Sequence, residues 1–254
     1  MRIFKMKVLL LIIAILGLVS CDASPAPLEL HVSAAASLQE SATELAELFM
    51  QAHPQVTIRL NFAGSNQLQQ QIVEGLPADL FLSAHVTPYR LLTEAGFVNQ
   101  GAPFAQTPVI LVASTTQINT IYDLANPDTE LIFAGAEVPI GIYTDVILNK
   151  VDLNQPGFSD AVLANVISRA ANVRQALLYV TLGESDATFV YRSDLTAATR
   201  DAVQIIELPL EYQEMGTFYL ALIEQTDICE MAVKFYDFIL SQAGREVLER
   251  HGFE

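Results

Sequence analysis

His31-Val32-Ser33-Ala34-Ala35-Ala36-Ser37-Leu38 is the stretch on which the reading of this chain turns. From Leu28 to Ser33 apolar and polar side chains alternate, the period of a strand. Three alanines follow, a passage with almost no side-chain bulk. From Ser37 the period becomes helical, with Leu38, Ala42, Leu45, Leu48 and Phe49 on one stripe. Ser37 stands where an N-cap belongs. A strand that passes straight into a helix aims the helix's unpaired N–H groups back over the strand's C-terminal end. In an open α/β sheet that end is where ligands bind, and bare N–H groups suit an anion.

The pattern recurs outward from there. His53-Pro54 stops the first helix, and Val56 to Phe62 alternates as a second strand. Ala63-Gly64-Ser65-Asn66 reads as a turn with a Ser or Asn cap, leading into a helix on Leu68 and Ile72. Ala78 to Ser83 is a third strand and Pro88 to Ala95 a third helix. Further strands are expected at Thr107–Ala113, Leu131–Ala134, Ala187–Arg192, Val203–Ile206 and Gly216–Ile223. One turn of helix is expected at Ile121–Ala125. Longer helices are expected from Ile140 to about Asn149, over Phe158–Val166, from Val173 to Gly183, and over Ile228–Leu240 and Ala243–Arg250. Strands alternating with helices predict an α/β fold with mostly parallel strands and right-handed crossovers. No repeat, low-complexity tract or long linker interrupts the chain.

The N-terminus has a different character. Met1 to Lys7 is basic, Leu9 to Val19 is unbroken apolar, and Leu18-Val19-Ser20-Cys21 closes the run. That order is a signal peptide, and its apolar part is shorter than the roughly 20 residues of a spanning helix. The closing Cys resembles the lipobox of bacterial lipoproteins, which implies lipid on Cys21 and cleavage before it. Residues 22–27, Asp-Ala-Ser-Pro-Ala-Pro, read as a tether. The mature chain is then expected outside the cytoplasm, anchored to a membrane. Cys229 is left without a partner, so no disulfide is expected and the thiol reads as buried.

The full chain carries a net charge of −16, and without Arg2, Lys5 and Lys7 ten basic residues face 29 acidic ones. There is no basic surface for nucleic acid. An anion that binds here must be held by local donors against an unfavourable overall field. The candidate donors are helix starts: Ser37, Ser65, Ile140 after Pro139, and Val173 after the N-cap Asn172. His31, His53, His85 and His251 have no metal-ligand spacing, and no metal site is expected. Ser37 belongs to no nucleophile elbow or triad order. Asp79 is expected to hold backbone N–H groups of neighbouring loops.

Several longer stretches carry a resemblance. They are Ala34-Ala35-Ala36-Ser37-Leu38, Phe62-Ala63-Gly64-Ser65-Asn66-Gln67-Leu68, Gln71 through Ala84, Val138-Pro139-Ile140-Gly141-Ile142-Tyr143, Asn172-Val173-Arg174-Gln175-Ala176-Leu177, Phe189-Val190-Tyr191-Arg192-Ser193-Asp194 and His251-Gly252-Phe253. In this order they resemble the periplasmic molybdate-binding proteins, the solute receptors of molybdate ABC transporters; the Pro77-Ala78-Asp79-Leu80-Phe81 part is shared with other solute-binding proteins. The resemblance implies a two-lobe, periplasmic-binding-protein-like (type II) α/β fold that closes over its ligand. One lobe would hold residues 28–106 with 213–254 and the other residues 107–212. It implies an oxyanion, molybdate or tungstate, held by the Ser37 hydroxyl and N–H, the Ser65 hydroxyl, the N–H groups of Ile140 and Val173, and the Tyr191 hydroxyl. No cofactor and no catalysis are implied; the expected partners are the oxyanion and a membrane permease, and the expected state is a monomer.

Three positions depart from the family's pattern: Ile140 where Ala is common, Asn66 where a hydroxyl is usual, and Arg192 where Gly is usual. Asn66 is read as a helix cap and Arg192 as facing solvent. Sulfate or a small organic anion remains an alternative ligand. A hydrolytic enzyme at the same cleft and a structural lipoprotein without a ligand remain alternatives of other classes.

Overall fold

The computed structural model of the protein describes residues 28–114, 116–224 and 229–254. The expected signal peptide, Cys21 and the tether lie outside these residues.

Strand β1 (Leu28–Ala35) runs through a 3-10 turn (Ala36–Leu38) into helix α1 (Gln39–Ala52). Then follow β2 (Val56–Ala63), α2 (Ser65–Val73), β3 (Leu80–Ser83), α3 (Val86–Glu94) and the long β4 (Val98–Ala113). The second half holds β5 (Leu131–Ala134), α4 (Pro139–Asn154), α5 (Phe158–Ala164), β6 (Val166–Ala170), α6 (Val173–Thr181) and β7 (Ala187–Tyr191). A short α7 (Ala197–Arg200), β8 (Gln204–Ile206), β9 (Met215–Ile223), α8 (Glu230–Leu240) and α9 (Gln242–Arg250) complete it.

The strands run in the order β2-β1-β3-β9-β4-β7-β5-β6, with β8 beside β4. The β1–β2, β1–β3, β5–β6 and β5–β7 ladders are parallel, as the alternating pattern predicts. Between these two parallel sets stand β9 and β4, which pair antiparallel to each other and to β3 and β7. The result is a two-lobe fold with mixed sheets, and β4 belongs to both: it pairs β9 over Val98–Pro108 and β7 over Val109–Ala113. The apolar face of α1, with Leu45, Ala46 and Phe49, is buried on the first lobe, where the Phe49 ring meets Phe235 at 4.9 Å. Leu48, read as part of that stripe, sits at its edge and is exposed.

Several elements differ from the sequence reading: the sheets are mixed rather than mostly parallel, because β4 and β9 run antiparallel between the parallel sets, and no helix was expected at α7. β4 begins at Val98, well before Thr107, through Gly101 and Pro103, with irregular register at 98/100 and 103/105. Pro cannot donate to a ladder and is tolerated where pairing is disturbed, so its presence argued against a strand that does form. The expected helix over Phe158–Val166 stops at Ala164, and edge strand β6 starts two residues on, with Ile167, Ser168 and Arg169 exposed. Cys229, expected buried, is half-buried. Asp79 behaves as a backbone acceptor, though its partner lies in a strand: the His31 N–H donates to its carboxylate at 2.7 Å.

Candidate oxyanion site

Four helical starts and the end of β7 meet between the lobes. Ser37, Ser65, Ile140, Val173 and Tyr191 all line one small cavity, together with Ala35, Ala36, Ala63, Gly64, Ala84, Val138, Pro139 and Asn172. The space open there to the centre of a water molecule is about 10 Å³, room for about one water-sized guest. None of the lining side chains is charged. The five predicted residues are buried, with exposures of 1–4%.

Each is presented differently. Ser37 lies inside the 3-10 turn rather than at an N-cap; the cap position falls to Ala35, and no side chain caps the turn. Ser37 Oγ is buried without a hydrogen-bond partner among the described residues. A buried hydroxyl left unpaired costs free energy, so one at a cavity wall marks a place for an acceptor. Ser65 opens α2 after Gly64, and its Oγ accepts the Ala84 N–H at 3.0 Å, which leaves the hydroxyl proton to donate. Asn66 does not cap this helix; its Oδ1 is buried and unpaired among the described residues.

Helix α4 starts with Val138 as N-cap and Pro139 at the first position, where a missing N–H costs nothing. The next N–H, that of Ile140, has no backbone partner among the described residues. α6 starts behind Asn172, which caps as expected by accepting the Gln175 N–H at 3.0 Å, and the Val173 N–H is likewise free among the described residues. Tyr191 ends β7, and Gly216 makes room for its ring: a Cβ there would lie 2.4 Å from Tyr191 Cε1. Its hydroxyl reaches the Ala84 carbonyl at 3.3 Å, long for an O–H donor and easily exchanged for a better acceptor. Burial first, then the neighbouring Tyr143 and Asp194, hold the phenol well above its ordinary range, so it stays a proton donor.

An ion network that the sequence reading missed surrounds these donors. Arg174, next to Val173, forms a forked pair with the Glu40 carboxylate on α1, with Nη1–Oε1 at 3.0 Å. Its Nε lies 2.9 Å from Asp194 Oδ1, an ion pair off the line of a hydrogen bond. Asp194 accepts the Tyr191 N–H at 3.0 Å. The signal was present only as position: each member lies one to three residues after a donor. Arg192 is half-buried, its guanidinium 3.8 Å from Glu207 on the outer surface, and does not line the cavity.

Burial pushes the Asp194 carboxyl up to about 7, while Arg174 and the Tyr191 N–H pull it down and Glu40 pushes it further up. A carboxyl raised in the fold stabilises most below its unfolded value, near 4, and that contribution fades as pH rises through about 7. The melting temperature of the protein is therefore expected to fall, relative to Asp194→Asn, between about pH 4 and 7. Parallel curves for the two proteins over that range would refute this.

The cavity thus presents O–H and N–H donors, with no carboxylate, imidazole or thiol in its lining. Among the described residues no three His, Cys, Asp or Glu side chains cluster as a metal site.

Known proteins resemble this chain over most of its length. The molybdate-binding protein ModA of Mycobacterium bovis is 30% identical over 228 residues, 87% of this chain and 83% of that protein. The solved substrate binding domain of a putative molybdenum ABC transporter from Clostridium difficile is 27% identical, with a TM-score of 0.64 over 89% of this chain and 98% of that one. The sulfate-binding protein SubI of Mycobacterium tuberculosis shares the fold, with a TM-score of 0.78 at 20% identity over 89% of this chain and 86% of that one. Residues 30–254 match a single family model throughout, and the chain belongs to that family, the bacterial extracellular solute-binding proteins.

Proposed function

We infer that this protein is an extracytoplasmic receptor that takes up molybdate or tungstate between its lobes and delivers it to an ABC transporter. The supporting observation is that Ser37, Ser65, Ile140, Val173 and Tyr191, remote in sequence, line one buried cavity of neutral donors. Such a cavity suits a fully deprotonated tetrahedral dianion. Hydrogen phosphate carries a proton that needs an acceptor, and a wall of donors leaves it unpaired. The protein is a binding protein rather than an enzyme: its relatives are solute-binding proteins, and Ser37 Oγ has no hydrogen-bond partner among the described residues to activate it.

The lobes in this reading are residues 28–106 with 213–254, and residues 107–212, the chain crossing near Thr107 and Gln213. Closure brings the Ser37 and Ser65 lobe onto the Ile140, Val173 and Tyr191 lobe. Removing water from between them strengthens every donor contact. The receptor works as a monomer, held by lipid on Cys21 and recognised when closed by a membrane permease.

Calorimetric titration of the Asp22–Glu254 fragment, stripped of bound ions, tests this. Molybdate and tungstate are expected to bind tightly and one to one, with sulfate and phosphate silent in the same buffer. Sulfate binding as tightly as molybdate, or no binding at all, would overturn the assignment and leave the fold standing.

A further inference from the structure

We propose that Arg174 is a positioning residue that latches the two lobes shut over the ion through its pair with Glu40. The proposal rests on the oxyanion reading of the cavity, though not on which oxyanion fills it. Glu40 lies in the first turn of α1, three residues after Ser37, and Arg174 lies in the first turn of α6, directly after Val173. The two side chains are 134 residues apart in sequence and meet across the cleft beside the cavity. Both guanidinium Nη atoms face both carboxylate oxygens, the bidentate geometry that fixes direction as well as distance. On its other side Arg174 faces Asp194, whose carboxylate holds the Tyr191 N–H.

Three of the five donors are thereby tied to one guanidinium. Ser37 is linked through Glu40, Val173 through the chain itself, and Tyr191 through Asp194. The Glu40 side chain is 38% exposed and that of Arg174 20%, so the pair forms at the mouth of the cleft and parts when the lobes part. A bond made only in the closed form adds to ion affinity by shifting the open–closed balance, and it acts on escape of the ion rather than on capture.

Simple electrostatics predicts the opposite sign. Glu40 is a carboxylate beside the site of a dianion, and removing its charge by itself would tighten binding. Glu40→Gln therefore separates the two effects. The latch predicts a dissociation constant for molybdate raised about tenfold. The change should appear as faster release of radiolabelled molybdate into an excess of unlabelled ion, with the association rate held. The melting temperature of the ion-free protein should stay that of the wild type. Arg174→Gln should weaken binding at least as much, and the double variant no more than Arg174→Gln alone, because the two changes break one shared bond.

Affinity unchanged or tightened in Glu40→Gln, with the wild type binding molybdate, would overturn the latch and leave the receptor reading intact. Additive losses in the double variant would overturn it as well. A wild type that takes up none of molybdate, tungstate and sulfate would overturn the receptor reading and the latch with it.

Discussion

Replacing Ser37 and Ser65 together by alanine is expected to weaken molybdate binding by roughly a hundred- to ten-thousand-fold while the protein still folds. A hydrogen bond to a charged partner contributes about 1.5–3 kcal/mol, and two such bonds are lost. The two serines differ in what they do for the fold. Ser37 Oγ has no protein partner among the described residues, so Ser37→Ala breaks no hydrogen bond within the protein. Its melting temperature should match or slightly exceed that of the wild type, since an unpaired buried hydroxyl is removed. Ser65 Oγ accepts the Ala84 N–H, and removing it strands a buried donor, at a cost of about 1–3 kcal/mol. Ser65→Ala should therefore melt a few degrees lower and lose affinity as well. Calorimetric titration beside thermal unfolding separates the two effects. An affinity that survives the double substitution would place the ion elsewhere in the protein.

Gly141→Ala should damage both fold and site. A Cβ at this position would sit 1.9 Å from the Gly135 carbonyl oxygen and 2.8 Å from its carbon. Both are backbone atoms, and neither is free to move. Gly135 O accepts the Val138 N–H at 2.9 Å, and the Gly135 N–H donates to Ala170 O at 3.0 Å on the neighbouring strand β6. The start of α4 has to back away from β5, which carries the Ile140 N–H off its line to the ion. Overpacking of this kind costs about 1–3 kcal/mol or more, a loss of several degrees in a chain of this length. Affinity should fall at least tenfold, measured on the fraction that remains folded. Gly157→Ala is the control: φ is +88°, so the backbone is strained, but nothing lies within 4 Å of the added methyl. It should cost about 1 kcal/mol of stability and leave ion binding unchanged. Wild-type melting and affinity in Gly141→Ala would mean that α4 is not seated on Gly135.

Four of the five residues of the candidate site were legible in the chain because they sit at local signals; Tyr191 came only from the resemblance. A proline at the first helical position, an asparagine cap and a small-residue passage from strand to helix are each visible within a few residues. What they do not give is convergence; the order of matching stretches supplied that, and the cavity brings the same residues together. The role assigned to Ser37 changed in detail. A residue one place inside a 3-10 turn has the same sequence surroundings as an N-cap, and only the turn's tightness distinguishes them. The lower half of β4 was illegible for a different reason. Asn99, Gln100, Gly101 and Pro103 are poor strand formers, and their conformation is imposed by pairing with β9, more than a hundred residues away. The Glu40–Arg174–Asp194 network left only its positions behind the donors, since charge pairs between distant elements leave no periodic trace.

The chain contains no tryptophan, and two of its eight tyrosines, Tyr143 and Tyr191, stand ring edge to face at 6.2 Å beside the cavity. Tyr143 accepts the Thr217 N–H from strand β9 and abuts the His85 ring at 5.0 Å, while Tyr191 rests its hydroxyl weakly on Ala84. In the proposed complex an ion would draw the Tyr191 proton toward itself and change the electronic surroundings of both phenols at once. No indole masks their ultraviolet emission. On the proposed site the protein would thus carry a built-in optical gauge of its own occupancy, readable without a dye or a label.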